Sequence, residues 1–139
     1  MRQEQTILTV HTRGQGFIDI TRHVAAWIAG TNIRTGLASL FLQHTSAGLL
    51  IQENADPDVL VDLTRFLARL APEGQWLYRH HTEGLDDMPA HIRTLLTGNS
   101  LTVPVRDGGL ALGTWQGLYL VEHRTAPHDR HLVIHLVGA

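Results

Sequence analysis

Along residues 5–11, Leu8 and Val10 alternate with Ile7, Thr9 and His11, and that two-residue period predicts a β-strand. Gly14 and Gly16 mark a turn, and Phe17–Ile20 reads as a short extended piece. Val24, Ala25 and Ile28 then recur at helical spacing with Trp27 alongside, behind a cap from Asp19 or Thr21 and before a stop at Gly30. The run 37–43 returns to alternation, placing Leu40 and Leu42 on one face with His44, and 49–52 predicts a further strand. Asp56-Pro57 combines a capping carboxylate with a proline whose missing N–H is harmless at a first helical turn. Leu60, Leu63, Leu67 and Leu70, with Val59 and Phe66, give the helix that follows a broad apolar stripe, ended by Pro72 and Gly74.

Residues 75–87 form a polar loop, and Asp86 or Asp87 caps a short helix through Leu96 whose expected buried side is Met88, Ile92 and Leu95, with Gly98 as its stop. The last third is strand. The run 101–105 carries Pro104, which cannot donate to a ladder and implies an edge or bulge, and Asp107-Gly108-Gly109 signals a hairpin. The runs 117–123 and 131–137 alternate on either side of a loop around Pro127. Strands at both ends with helices inserted between hairpins predict an α+β fold, mostly antiparallel, with about three helices packed on one side of the sheet. With 139 residues the chain suffices for one domain, 1–139, with a single core.

Composition narrows the chemistry. No apolar run approaches the roughly 20 residues of a membrane span, and no basic-then-hydrophobic leader is visible, so a cytoplasmic protein without a membrane partner is expected. The absence of cysteine excludes disulfides, thiolate metal sites and a Cys nucleophile. Net charge is −2 and no basic block appears, which argues against a nucleic-acid partner. All 11 basic residues are arginine, so neither a Schiff-base lysine nor a P-loop lysine exists, and any phosphate must be held by Arg, backbone N–H groups or a metal. Ten histidines exceed what packing requires.

The polar residues gather between His44 and His91. His44 has two readings: a half-buried imidazole bonded to backbone, or a site residue beside Thr45 and Ser46, with Glu53 and Asn54 one hairpin away. Ser46 lacks the preceding glycine of a nucleophile elbow, which weakens a serine hydrolase. His80 and His91 bracket Glu83, Asp86 and Asp87, and imidazoles with carboxylates suit a divalent ion; alternatively the two aspartates are only helix caps. His91 falls one turn into its helix, where the positive end favours the neutral, ligating imidazole. Histidine-rich ligation suits zinc, manganese, nickel or iron, whereas magnesium prefers oxygen alone. The run Gly113-Thr114-Trp115-Gln116-Gly117 permits close backbone approach to a ligand and offers an indole for stacking. Only one of Glu122 and His123 can face a given cleft, and Arg106 and Arg124 flank these strands as candidate phosphate ligands.

The runs His-Thr-Ser-Ala from His44, Glu-Asn-Ala-Asp-Pro-Asp-Val from Glu53, Tyr-Arg-His ending at His80, Glu-Gly-Leu-Asp-Asp-Met-Pro-Ala-His-Ile from Glu83, Leu-Ala-Leu-Gly-Thr-Trp-Gln-Gly from Leu110 and Glu-His-Arg from Glu122 together resemble the YjbQ family over nearly the whole chain. The resemblance implies an α+β homotrimer with a cleft near the subunit interfaces. It also implies a secondary thiamine-phosphate synthase activity, joining a hydroxymethylpyrimidine diphosphate to a thiazole phosphate with loss of pyrophosphate. Carried over by motif, His44, His80 and His91 would hold the metal. Glu53, Asn54, Trp115, Gln116 and Glu122 would line the pocket, while His81 departs from the pattern. In this reading Ser46, Glu53 and Glu122 manage protons, and Thr45, Asn54, Arg106, Thr114, Trp115, Gln116 and Arg124 bind a small phosphorylated substrate. The alternatives are a metal-dependent hydrolase of a small phosphorylated molecule and a non-catalytic trimer that binds a ligand or metal.

Overall fold

The computed structural model describes Met1–Ala139. In chain order its elements are β1 (Arg2–His11), β2 (Gly16–Asp19), α1 (Thr21–Thr31), β3 (Gly36–Leu42), β4 (Ala47–Glu53), α2 (Pro57–Leu70), α3 (Asp87–Thr97), β5 (Ser100–Arg106), β6 (Gly109–Leu110), β7 (Gln116–Glu122) and β8 (Asp129–Gly138). Two antiparallel sheets result, one ordered β1-β8-β3-β5-β6 and the other β2-β7-β4. The fold is α+β, as the alternation of the outer segments predicts.

The two-residue period decides what meets between the sheets. From the larger sheet come Ala38, Leu40, Leu42, Val103, Val105, Leu132, Ile134 and Leu136; Ala47, Leu49, Leu118 and Leu120 face them from the smaller. Val24 and Ile28 of α1 close one side of this core, together with Ile20 and Ile33. The other face of the smaller sheet is covered less tightly. There Phe17 and Leu50 share an apolar cleft with Leu63, Phe66 and Leu67 of α2 and Leu96 of α3. The outward residues of the larger sheet, among them Ile7, Leu37, Phe41 and Val137, remain exposed.

Several local expectations are altered by tertiary packing. Helix α1 continues through Gly30 and ends at Asn32 in the left-handed conformation, φ 61°. The turn Asp107-Gly108 has positive φ at both residues, the geometry of a tight hairpin with matching strand twist. Asp56 caps α2 as expected, accepting from the Asp58 N–H at 2.9 Å, yet none of the apolar stripe of α2 is fully buried. The largest departure is α3. Its buried residues are Asp87, Pro89, Ala90 and Arg93, while Leu95 points to solvent. Neither Asp86 nor Asp87 caps that helix through its side chain; Asp86 instead accepts from Arg124 Nε and the Thr125 N–H, both at 2.9 Å.

Helix α3 is set on β4 by a close approach that only glycine permits. The Leu49 N–H donates to the Gly98 carbonyl at 3.0 Å, and a Cβ on Gly48 would stand 1.9 Å from Thr97 Oγ1 and 2.8 Å from Gly98 O. The overpacking in Gly48→Ala is expected to cost about 1–3 kcal/mol, read as a lower urea midpoint. On the same face His123 is 2% exposed. Burial first, and then the positive charge of Arg93, lower its pKa to about 4. An unfolded histidine titrates near 6.5, so its contribution is complete above that pH and fades as the pH falls toward 4, by an amount on the order of 3 kcal/mol. Urea midpoints measured between pH 7 and pH 4.5 should therefore decline less steeply in His123→Leu than in the wild type.

Candidate functional site

Three acceptor-bearing side chains meet where the loop after α2 enters α3. One ligand atom each from His80, Asp87 and His91 lies within 4.8 Å of the others. Asp87 and His91 are four residues apart on α3 and therefore share a helix face. His80 Nε2 lies 2.5 Å, and His91 Nε2 3.1 Å, from the same oxygen, Asp87 Oδ2. The second Asp87 oxygen is held by Arg124 Nη1 at 2.7 Å. Burial by itself would raise the Asp87 pKa, but hydrogen bonding to His80 and the charges of His91 and Arg124 outweigh it and keep the carboxylate ionised.

The protonation pattern of His91 follows from its other nitrogen. Nδ1 faces the Thr45 carbonyl at 2.8 Å and must donate to it. When His91 is neutral its Nε2 lone pair therefore faces a carboxylate oxygen, a contact that either a proton on Nε2 or a metal ion between the two would satisfy. With His80 on the same oxygen, the donor set is two imidazoles and a carboxylate, with a backbone carbonyl orienting one ring, as in metal-binding triads.

His44 has a different environment. Its Nε2 accepts the His131 backbone N–H at 2.8 Å, and its ring stacks on that of His131 with centroids 5.7 Å apart. The lone pair it was expected to offer a metal is thereby engaged, and Asp87 stands in its place in the close group. Burial first, then the charge of Arg130, lowers its pKa, so the ring is neutral. His44 still borders the centre, because His44, Thr45 and Asn99 wall a hollow of about 350 Å³ that reaches His91. The same three residues also wall a neighbouring hollow of about 510 Å³ with Ser46 and Arg130.

Glu122 and Ser46 belong to a buried network behind that wall. Glu122 points into the interior and accepts from Arg130 Nε at 2.8 Å, Arg130 Nη2 at 2.5 Å and Thr12 Oγ1 at 2.7 Å. Burial opposes its ionisation, yet the hydrogen bonds from Arg130 and Thr12 hold its pKa below the usual range. With its lone pairs engaged, Glu122 acts by positioning Arg130. Ser46 Oγ accepts from Arg130 Nη2 at 3.0 Å. Arg124, expected as a phosphate ligand, is committed to Asp86 and Asp87 and to the Glu83 carbonyl.

The remaining sequence candidates lie elsewhere in the protomer. Glu53 pairs with Gln116 at the far end of the β4–β7 ladder from Ala47 and Glu122, about 20 Å away at strand rise. There Glu53 accepts the Asp56 N–H, the Asn54 N–H donates to the Trp115 carbonyl, and the Gln116 side chain accepts the Gly113 N–H. Trp115 is exposed, as is Thr114 beside it. Arg106 ends β5 opposite Gly109, at the other end of that strand from Ser100 and the His44 wall. One chain therefore does not bring Glu53, Asn54, Thr114, Trp115, Gln116 or Arg106 to the histidine centre. Sequence reasoning missed two placements: Asp87 stands in the close group with His80 and His91, and Arg130 lies in the buried network behind His44. Each left a signal: the i, i+4 spacing of Asp87 and His91, and an arginine in phase with Leu132, Ile134 and Leu136.

The chain also matches known proteins along its length. A family model described as UPF0047 protein YjbQ-like matches residues 5–139. The UPF0047 protein sll1880 of Synechocystis sp. is 51% identical over 137 residues, covering 99% of this chain and 93% of that protein. The UPF0047 protein YjbQ of Escherichia coli O157:H7 is 41% identical over 135 residues, covering 96% of this chain and 97% of the relative. Among solved structures, the conserved hypothetical protein TT1486 of Thermus thermophilus superposes with a TM-score of 0.85 at 42% identity, covering 95% of this chain and 99% of that one. An uncharacterized YjbQ/UPF0047-family protein of Clostridium acetobutylicum gives the same TM-score at 35% identity, with the same coverage. A family model spanning residues 5–139, full-length relatives and a shared fold place the chain in the UPF0047 YjbQ-like family.

Proposed function

We propose that the chain is a divalent-metal-dependent enzyme acting on a small phosphorylated molecule, with His80, Asp87 and His91 holding the ion. The observation that carries this reading is the convergence of His80 Nε2 and His91 Nε2 on Asp87 Oδ2. Ligand atoms on a tetrahedral ion with bonds of about 2.0 Å stand roughly 3.3 Å apart, so small side-chain adjustments suffice. Three protein ligands leave a position open for substrate or water, and two imidazoles favour zinc, manganese, nickel or iron over magnesium. Such an ion, when bound, neutralises the charge that develops on a departing phosphate or pyrophosphate. Arg124 holds the Asp87 carboxylate in place, and the Thr45 carbonyl orients His91.

The reaction to assay first is the thiamine-phosphate synthase-like transfer that the family resemblance suggests. A hydroxymethylpyrimidine diphosphate and a thiazole phosphate would be joined with release of pyrophosphate. Hydrolysis of a single phosphorylated substrate is the second reading, and one observation favours it: the indole of Trp115 lies at the far end of β4 and β7, so stacking on a pyrimidine at the metal would need Trp115 from another copy. Self-assembly as a homotrimer belongs to the same proposal, supported by the uncovered apolar residues Ile7, Leu37, Phe41 and Val137. A cytoplasmic location is part of the same proposal; no helix is long and apolar enough to cross a membrane.

Elemental analysis of the purified protein should find close to one transition-metal ion per chain. Asp87→Asn and His91→Ala should each lose it, with affinity reduced at least roughly 10–100-fold, while His44→Gln keeps it. Thiamine phosphate formed from both precursors identifies the transferase, and free phosphate from one substrate identifies the hydrolase. Metal-independent turnover, or full occupancy in both ligand variants, would overturn the reading.

A further inference from the structure

The guanidinium of Arg130 is almost wholly enclosed, its side chain 4% exposed. Nε and Nη2 are fully used: Nε donates to Glu122, and Nη2 donates to Glu122 and Ser46. Nη1 is different. Its neighbour is His44 Nδ1 at 3.4 Å, and because His44 Nε2 accepts the His131 N–H, the proton of a neutral His44 must sit on Nδ1. Two N–H donors therefore face one another with no acceptor between them, at the edge of the hollow of about 510 Å³ also lined by Gln43, Thr45, Ser46 and Asn99.

We infer that the His44–Arg130 hollow is an oxyanion subsite that takes a phosphate group, with Arg130 Nη1–H and His44 Nδ1–H as its paired donors. A phosphate oxygen between the two nitrogens would relieve the donor–donor contact, and a buried, pre-positioned guanidinium holds an anion more strongly than a solvated one. Glu122 engages one edge of the guanidinium and aims the remaining edge outward, while the His131 backbone N–H fixes the tautomer of His44. His44, Thr45 and Asn99 border both hollows, so a phosphate held here lies beside the His91 edge of the metal centre. The inference deepens the proposed function by naming where the substrate's phosphate sits, but phosphate binding here requires no metal.

The test is titration of EDTA-treated protein with inorganic phosphate, followed by calorimetry and by the histidine side-chain nitrogen resonances. Saturable binding is expected, with His44 in the Nδ1–H tautomer and its Nδ1–H signal moved by phosphate. In His44→Phe the affinity should fall at least about tenfold. His44→Gln, whose carbonyl can accept the His131 N–H while its amide donates to the hollow, should restore most of it. The wild-type resonances decide the question even if His44→Phe fails to fold. No saturable binding, equal binding in His44→Phe, or shifts confined to His80 and His91 would overturn the subsite, as would acetate binding as tightly as phosphate. A protein that binds phosphate in this way yet holds no metal would sink the metal reading and leave the subsite standing.

Discussion

The ion pair between Arg130 and Glu122 fastens the two sheets at the end where the polar residues collect. Arg130 comes from β8 of the larger sheet and Glu122 from β7 of the smaller, and both are nearly inaccessible to water. Thr12 adds a donor to Glu122 from the chain just after β1, and Ser46 accepts from Arg130 just before β4. Four segments thus converge on one pair of charges. Breaking such a pair from one side leaves a buried charge uncompensated, typically about 3–5 kcal/mol. The pair therefore sets both the registration of the sheets and the direction in which the free edge of the guanidinium points.

A second carboxylate–arginine contact does for α3 what that pair does for the strands. Arg124, two residues after Glu122, reaches Asp86 and Asp87 together, and Asp86 also accepts from the Thr125 N–H. The Asp86 pKa is lowered to about 2, where burial opposes ionisation and the Arg124 and Thr125 hydrogen bonds prevail. The start of α3 is thus pinned to the end of β7, with one Asp87 oxygen engaged and the other turned to the two imidazoles. One short stretch, Glu122 to Thr125, thus holds both the Asp87 carboxylate of the histidine group and the Arg130 guanidinium.

Much of the strand framework was legible in the sequence because alternation reports directly which residues enter the core. Leu40, Leu42, Leu132, Ile134 and Leu136 are buried as their phase requires. Helix α3 lies where the sequence places it, but its buried face differs from the expected Met88, Ile92 and Leu95 for a physical reason: it buries polar side chains. Asp87 and Arg93 are inside because each finds partners there, Arg93 donating to the Ala71 carbonyl at 3.0 Å, and no hydrophobic period can report such burial. His80 and His91 were identifiable by residue type and grouping. Nothing in a linear pattern could show that the His44 lone pair would be taken by the His131 N–H, a contact between segments 87 positions apart. The division of the polar residues between opposite ends of β4 depends on strand pairing and appeared only with the topology.

Helix α2 combines a well-formed cap with an apolar stripe that contributes no residue to the inter-sheet core. Lifting it away would expose Phe17, Leu50 and the shallow cleft they share, and would leave the two sheets intact. In the isolated chain this helix is therefore less protected than the inter-sheet core. Its backbone amides would exchange with deuterium well before those of β7, whose residues Gly117–Glu122 are buried throughout.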